Sequence, residues 1–213
     1  MELLKTEIET IKSRGTSLFL DGKWTQPEGG ADLQVVNPHN EEVLLTYKEA
    51  TPADIEKAVT AARKAFETGP WPKMTPAERG DLLIKMGDEL ERRLPLLGEA
   101  WTGQMGCPIF LSSKASAEVP ELFHYYGKMA KEFDFVETRI LSNGMEARIA
   151  REPAGVVAAV TPWNAPAVLL AYKIAAGLAA GCTIVAKPSP ETPVDAWIMA
   201  EVAEMVGLPA GVL

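Results

Sequence analysis

Residues 156–189 have the sequence VVAAVTPWNAPAVLLAYKIAAGLAAGCTIVAKPS, and this stretch decides the fold of the chain. The apolar run Val156–Val160 predicts a buried strand, residues 165–180 predict a helix that ends at Gly181, and residues 183–186 predict a second buried strand. A strand, a crossover helix and another strand form a βαβ unit, whose two strands are parallel. The sequence therefore predicts an α/β protein with a parallel sheet.

The chain before this unit is predicted to contain short strands followed by capped helices. Residues 17–48 alternate β-friendly runs with turn residues, among them an Asp-Gly pair at residues 21–22. Thr51 and Thr75 each precede a proline at a first helical position, and Glu78 completes a capping box with Thr75. The apolar positions predicted to face inward on these two helices are Ile55, Val59, Ala62 and Phe66, and Leu82, Leu83, Met86 and Leu90.

Two further helices and a hairpin are predicted around these elements. One helix runs from about residue 113 to 133, and another is capped at Thr192. Residues 134–152 alternate in polarity and centre on Asn143 and Gly144, a strong hairpin signal. Because a two-stranded hairpin is marginal alone, we expect it to lie against something larger, such as another subunit.

Composition excludes several classes of partner. The net charge of −8 and the pI of about 4.9 argue against nucleic acid, because phosphate binding needs a basic surface. Cys107 and Cys182 lie in no C-x-x-C or Cys/His cluster, so no metal site is predicted, and two reduced, buried thiols are favoured over a disulfide. No secretory signal, transit peptide or apolar run of membrane-spanning length is present, so we expect a cytoplasmic chain without a membrane partner.

Polar residues follow both strands of the βαβ unit. Thr161, Pro162, Trp163 and Asn164 follow the first strand, and the Lys-Pro-Ser segment at residues 187–189 follows the second. Ligands of open parallel sheets bind beyond the carboxyl ends of the strands, so both clusters are predicted to meet at one ligand-binding edge. A nucleotide is the default ligand there, although neither G-x-G-x-x-G nor a P-loop motif occurs.

Each of these residues also has a structural interpretation. Asn164 could cap the following helix, Lys187 could be a solvated lysine, and Trp163 could be a packing residue. Lys173 either extends its charged end to solvent or pairs with a carboxylate, and Cys182 is expected in the core. Spacing alone leaves the function open.

A longer set of motifs in the same order resembles the aldehyde dehydrogenase superfamily. The segment GVVAAVTPWNAPAVLLAYKIAAGLAAGCTIVAKPSPETP, followed by GLPAGVL, carries P-W-N, a lysine nine residues later, A-A-G-x-T-x-V, K-P-S-x-x-T-P and G-L-P-x-G-V. The segment VVNPHNEEVL, the capped helices and the hairpin are also similar, so the resemblance covers nearly the whole chain.

The resemblance implies an aldehyde-dehydrogenase-like fold and a division into domains. We expect a Rossmann-like parallel sheet with flanking helices and a protruding β-hairpin, with the sheet incomplete at its carboxyl end. Residues 1–134 and 153–213 would form a truncated NAD(P)-binding domain, and residues 135–152 would form an oligomerisation hairpin. The catalytic domain would be absent, and the complete enzyme would be a homodimer or homotetramer.

The resemblance also implies roles for the residues at the strand ends. Asn164 is similar to the family's oxyanion-hole amide, whose N–H stabilises the alkoxide formed when a thiolate attacks an aldehyde. Lys173 is a further candidate catalytic residue, and Lys187 is similar to the lysine that binds the adenosine ribose. The predicted cofactor-binding residues are Val160, Thr161, Pro162, Trp163, Asn164, Lys187, Ser189 and Pro190.

Pro190 departs from the family pattern. The family often has a glutamate at this position, which binds the ribose hydroxyls and favours NAD over NADP; here Glu191 follows one residue later. We therefore expect NAD or NADP as the cofactor, with NAD slightly favoured.

The catalytic nucleophile and the general base of the family come later in the chain than residue 213. The sequence is therefore interpreted as the amino-terminal part of an NAD(P)-dependent enzyme that oxidises an aldehyde to a carboxylic acid through a thioester. The alternative is a non-catalytic cofactor-domain or assembly fragment. Phe123, Tyr125 and Tyr126 either contribute to a wall of the aldehyde tunnel or belong to the core.

Overall fold

The computed structural model describes residues 1–14 and 18–213. The helices are α1 (Glu2–Arg14), α2 (Pro52–Glu67), α3 (Pro76–Arg92), α4 (Leu94–Met105), α5 (Ile109–Ala115), α6 (Glu118–Glu132), α7 (Pro166–Ala179) and α8 (Val194–Met205), with a 3-10 turn at Trp71–Lys73. The strands are β1 (Leu18–Leu20), β2 (Lys23–Thr25), β3 (Asp32–Val36), β4 (Val43–Lys48), β5 (Val136–Ile140), β6 (Glu146–Ala150), β7 (Val156–Val160) and β8 (Thr183–Lys187).

The predicted βαβ unit is confirmed. β7 and β8 are parallel, with Val156 opposite Thr183 and Val160 opposite Lys187, and α7 connects them. Helices α2 and α7 both pack against the two strands. On the other side of β8, Ile184 N donates to Val212 O at 2.8 Å, so residue 212 lies alongside the strand pair.

The helix starts at Thr51 and Thr75 are confirmed, but the predicted cap at Thr192 is wrong. Thr51 and Thr75 each form a capping box, with Asp54 and Glu78 respectively. Helix α8 has no side-chain cap at its own amino terminus. Gln104 on α4 replaces that cap, because its Oε1 accepts from Val194 N at 3.0 Å.

The third predicted helix is two helices, α5 and α6, separated at residues 116–117. Pro120 explains the break, because a proline has no N–H and its ring collides with the carbonyl four residues earlier, here that of Ser116. In the first turn of a new helix, the same proline is tolerated.

The predicted inward face of α3 is confirmed, whereas that of α2 is wrong at two positions. Leu83, Met86 and Leu90 are fully buried, and Leu82 packs against them. On α2, Ile55 and Val59 are 41% and 43% exposed, whereas Ala62 is buried as predicted and Ala65 is buried although it was not predicted to be.

The amino-terminal helix α1 is part of the core, which the sequence analysis did not predict. Its residues Leu4, Ile8 and Ile11 recur at helical spacing and are buried. The chain amino group lies 2.6 Å from Glu99 Oε1, and Leu4 N donates to Glu99 Oε2 at 3.0 Å. Glu99 on α4 therefore binds the first turn of α1.

The hairpin at residues 134–152 is confirmed. β5 and β6 pair in antiparallel register, and Gly144 in the turn has a φ of 81°. Of the strands in the described residues, β5 pairs with β6 alone. Ile140 and Met145 are 67% and 58% exposed, so the hairpin presents apolar side chains at the surface.

The turn predicted at residues 21–22 joins the antiparallel strands β1 and β2, and both residues have positive φ. Ser17, the first residue of that predicted strand region, lies outside the described residues. Both cysteines are free and buried, as predicted. Across residues 1–14 and 18–213, every helix is too short or too polar to serve as a membrane span.

Candidate oxyanion and cofactor site

The two polar clusters meet at one edge of the parallel strand pair. Val160 and Lys187, the last residues of β7 and β8, are paired in register, and Thr161 N donates to Lys187 O at 3.2 Å. Thr161 is buried. The residues that follow each strand are therefore neighbours, as the spacing predicted.

Asn164 is exposed in the turn between β7 and α7. The residue at the N-cap position of α7 is Ala165, and no side-chain hydrogen bond caps this helix. The backbone oxygen of Asn164 accepts from Trp101 Nε1 at 3.0 Å, which attaches the turn to α4. The geometry therefore does not support the interpretation of Asn164 as a helix cap, and its side-chain amide is accessible.

The rest of this turn is also open at the surface. Val160 and Trp163 are 56% and 52% exposed, and Pro162 is exposed beside them. The described residues therefore leave about half of the Trp163 side chain uncovered. Together these residues form an accessible surface at the end of β7.

The end of β8 borders a cavity of about 930 Å³. Lys187, Pro188 and Pro190 line it on one side, and Tyr47 and Glu49 line it on another. The Nζ of Lys187 lies 3.5 Å from Pro188 O, a long contact that leaves the ammonium group accessible. The cavity is large enough for a nucleotide-sized ligand and is mostly apolar, with a few polar groups at the rim, as ligand sites usually are.

Two carboxylates lie at the same rim. Ser189 Oγ donates to Glu191, and Tyr47 OH donates to Pro190 O at 2.9 Å. Burial, with smaller contributions from the negative charges of Glu191 and Glu49, raises the pKa of Tyr47 to about 12. The phenol therefore remains a hydrogen-bond donor, and negative charge surrounds the segment that contains Pro190.

Lys173 is exposed on α7 and, within residues 1–14 and 18–213, forms no ion pair. The carboxylate partner considered for it is therefore not found. Cys182 is 4% exposed in the core, and burial raises the pKa of the Cys107 thiol. Neither sulfur is placed to act as a surface nucleophile, because a thiol must ionise to attack.

Helices α6 and α7 carry aromatic residues named in the sequence analysis and one pair, Tyr172 and Glu118, that it did not identify. Phe123 is fully buried, which confirms a core role, while Tyr125 is 56% exposed. Tyr172 on α7 is 43% exposed and donates a hydrogen bond to Glu118 on α6. No local sequence pattern indicates this pair, because its two residues lie on different helices and are 54 positions apart.

A buried polar pair joins α4 to α8. Asp195 is 1% exposed, and its Oδ2 accepts from Gln104 Nε2 at 2.9 Å. Burial raises the pKa of Asp195 to about 7, although the hydrogen bond from Gln104 opposes this shift. This carboxyl group belongs to the packing of the two helices.

One group of potential metal ligands occurs on α3 and α6. Asp88, Glu91 and His124 have ligand atoms within 4.8 Å of one another, and His124 Nε2 lies 3.0 Å from Asp88 Oδ1. Both carboxylates are exposed, and exposed acidic groups often lie this close without an ion. The cluster does not indicate a metal site.

Comparisons with known proteins identify the family of this chain. A model of the aldehyde dehydrogenase family matches residues 24–213. A putative aldehyde dehydrogenase of Bacillus subtilis is 37% identical over 97% of this chain and 42% of its own length. A mutant of an aldehyde dehydrogenase from Bacillus cereus has a TM-score of 0.90 at 34% identity, over 97% of this chain and 42% of that chain.

A third relative was solved with a cofactor. The Mycobacterium tuberculosis aldehyde dehydrogenase complexed with NAD⁺ has a TM-score of 0.88 at 38% identity, over 93% of this chain and 41% of that chain. The chain thus spans about two fifths of the length of these relatives. The family match over residues 24–213 and the shared fold lead to one conclusion: the chain belongs to the aldehyde dehydrogenase family.

Proposed function

We propose that residues 1–213 supply the oxyanion donor and part of the cofactor site of an NAD(P)-dependent aldehyde dehydrogenase. The observation that carries this proposal is the position of Asn164. Its amide is exposed at the end of β7, does not cap a helix, and lies at the same sheet edge as Lys187 and its cavity. The division into a cofactor domain and an oligomerisation hairpin at residues 135–152 is part of the same proposal.

In the proposed reaction, a cysteine thiolate outside residues 1–213 attacks the aldehyde carbonyl, and negative charge develops on its oxygen. The side-chain N–H of Asn164 donates to that oxygen and lowers the energy of the transition state. A neutral amide suits this task because it does not titrate and adds no net charge that would retain a carboxylate product. The hydrogen bond from Trp101 to the backbone of Asn164 holds the donor in place.

The cavity beside β8 fits the adenosine half of the cofactor. Lys187 is positioned to donate to the ribose hydroxyls, while Pro188 and Pro190 offer apolar contacts. Val160, Thr161, Pro162 and Trp163 would border the nicotinamide half, which supplies a hydride acceptor when it is bound. We favour NAD over NADP, because Glu49 and Glu191 at the rim oppose the additional charge of a 2′-phosphate.

A second candidate function is a non-catalytic cofactor-binding or assembly fragment. The observation that favours it is the burial of Cys107 and Cys182, which are 6% and 4% exposed. Purified residues 1–213 should then form no NADH from any aldehyde while still binding the cofactor. Production of NADH by this material, free of any longer enzyme, would contradict both this candidate and our placement of the nucleophile.

The exposed apolar side chains of the hairpin support assembly with a second subunit. Ile140 and Met145 are each more than half exposed. Exposed apolar side chains that lie together are typical of a protein–protein interface. We therefore propose a homodimer or homotetramer for the complete enzyme.

Substitution of Asn164 in the complete enzyme tests the main proposal. Asn164→Asp removes the N–H and adds a negative charge next to the developing alkoxide, so turnover should fall by at least about 10²–10³. Asn164→Ala, the matched control, removes the donor without adding charge and should fall by about that factor. Because Asn164 is exposed, both variants should keep the parent melting temperature, and cofactor affinity is measured alongside turnover. Turnover of Asn164→Asp within about twofold of the parent would refute the proposed donor.

A further inference from the structure

A tight turn follows β8 and carries part of the proposed ribose site. The strand ends at Lys187, and Thr192 N donates to Ser189 O at 3.1 Å, which closes a four-residue turn with Pro190 at its second position. Proline is favoured at that position because its fixed φ suits the turn. Ser189 Oγ also donates to Glu191 inside the turn. The chain beyond β8 is therefore compact and has its own local hydrogen bonds.

Tyr47 attaches this turn to a distant part of the chain. It lies on β4, and its hydroxyl donates to the backbone oxygen of Pro190, 143 residues later, at 2.9 Å. Its ring packs edge-on against Trp197 of α8, with ring centroids 5.3 Å apart. Trp197 is 6% exposed, so the ring of Tyr47 rests on the core while its hydroxyl reaches the turn. One side chain thus joins β4 and α8 to the segment that follows β8.

Tyr47 also lies at the cavity that the proposed ribose site borders. It lines the cavity together with Lys187, Pro188 and Pro190. The Nζ of Lys187 lies 3.5 Å from Pro188 O, so the position of this backbone affects where the ammonium group rests. Burial is the main reason that the pKa of Tyr47 is raised to about 12, and its hydroxyl therefore stays protonated and donates at neutral pH.

We propose that Tyr47 is a positioning residue for the cofactor, whose hydrogen bond to Pro190 holds residues 187–190 in the arrangement that binds the adenosine ribose. This inference rests on the proposed function, since it requires the ribose to lie beside Lys187. A binding segment that is already held in its bound arrangement loses less conformational freedom when the ligand binds. Tyr47 therefore increases cofactor affinity through the turn and takes no part in hydride transfer.

The alternative role for Tyr47 is structural, as a contact that fastens β4 to α8. The two roles differ in which half of the cofactor they affect. A positioning role changes the affinity for ligands that contain the adenosine ribose, whereas a structural role changes the melting temperature and leaves those affinities unchanged.

The test uses Tyr47→Phe in the complete enzyme, because phenylalanine keeps the ring on Trp197 and removes only the hydroxyl. Dissociation constants are measured for NAD, for AMP, which contains the adenosine ribose, and for nicotinamide mononucleotide, which lacks it. We expect the dissociation constants of NAD and AMP to rise by about three- to tenfold, the loss of one hydrogen bond. The dissociation constant of nicotinamide mononucleotide, and kcat at saturating NAD, should stay within about twofold of the parent.

Trp24→Phe is the matched control. Trp24 Nε1 donates to Glu204 Oε2 at 3.0 Å, so this variant also removes an aromatic donor that joins an amino-terminal strand to α8. It should leave all three dissociation constants unchanged, whatever its melting temperature.

Three results would overturn the inference. The first is a lower melting temperature of Tyr47→Phe with unchanged affinity for NAD and AMP. The second is an equal loss of affinity for AMP and nicotinamide mononucleotide, which would indicate a general disturbance of the site. In both cases a parent enzyme that oxidises aldehydes with NAD or NADP leaves the proposed function standing. The third is a parent enzyme that binds neither NAD nor NADP, which would overturn the proposed function as well.

Discussion

The buried carboxyl group of Asp195 should make the stability of this chain depend on pH in a specific direction. The side chain is 1% exposed and accepts a hydrogen bond from Gln104, and among the described residues its Oδ1 has no hydrogen-bond partner. Burial raises its pKa from 3.8 to about 7. The folded state therefore binds this proton more tightly than the unfolded state does. The stabilisation is complete below about pH 4 and is lost as the pH rises through 7.

The size of the effect follows from the two pKa values. A shift of about three units corresponds to roughly 4 kcal/mol over the whole range, at about 1.4 kcal/mol per unit. At pH 5 the carboxyl group of Asp195 is already mostly ionised in the unfolded state, so part of the stabilisation is already lost at that pH. Between pH 5 and pH 8, ionisation of Asp195 should lower the free energy of unfolding by about 2–3 kcal/mol.

Asp195→Asn isolates this contribution, because asparagine has the same shape and cannot ionise. Its amide would still accept from Gln104, while the unpaired N–H would cost about 1–3 kcal/mol at every pH. Urea unfolding followed by tryptophan fluorescence should show the variant gaining about 2–3 kcal/mol on the parent between pH 5 and pH 8. Parallel stability curves for the two proteins, with a constant difference, would refute the raised pKa.

Three other changes test separate parts of the structure. Trp71→Phe should lower the free energy of unfolding by about 1–3 kcal/mol, because the buried indole N–H donates to the backbone oxygens of Gly181 and Cys182. A loss of less than about 0.5 kcal/mol in urea unfolding would contradict this expectation. Pro190→Glu in the complete enzyme should lower KM for NAD and raise KM for NADP, because a carboxylate binds the ribose hydroxyls and repels a 2′-phosphate. Unchanged KM values for both cofactors would contradict the proposed effect of charge at this position. The complete enzyme should be a dimer or tetramer by light scattering at micromolar concentration, and a monomer would count against the hairpin as an interface.

The elements that sequence alone predicted well are those whose signals are local. Thr51 and Thr75 precede prolines and carry an acidic residue three positions later, so each capping box forms within a few residues of chain. The turn at residues 143–144 is equally local. The parallel pairing of β7 and β8 was predictable for a different reason, since two buried strands joined by a helix have few other arrangements.

The errors occurred where distant residues decide the local structure. Thr192 has the sequence of a helix cap, yet Gln104, about ninety residues earlier, provides the hydrogen bond to Val194. The apolar pattern of α2 suggested that Ile55 and Val59 face the core, although in the folded chain Ile55 borders the cavity beside β8 and Val59 is 43% exposed. A local sequence pattern cannot predict where α4 or the cavity lies relative to these residues.

Helix α1 is a different kind of omission, because its signal was present in the sequence. Leu4, Ile8 and Ile11 repeat at the helical period and could have predicted an amphipathic helix at the start of the chain. The pairing of that helix with Glu99 could not have been predicted, since it joins residues far apart in sequence.

The choice between the two interpretations of Asn164 depended on one such distant contact. Asparagine before a helix usually accepts hydrogen bonds from the first turn, and the sequence around residue 164 permits that. The indole of Trp101 instead holds the backbone oxygen of Asn164, and the residue that occupies the N-cap position is Ala165. In our proposal, the side-chain amide of Asn164, which does not cap α7 and whose backbone is held by Trp101, donates to the substrate oxygen. The contact with Trp101 supports this proposal, because a donor stabilises an oxyanion best when its backbone is already in place and little reorientation is needed during the reaction.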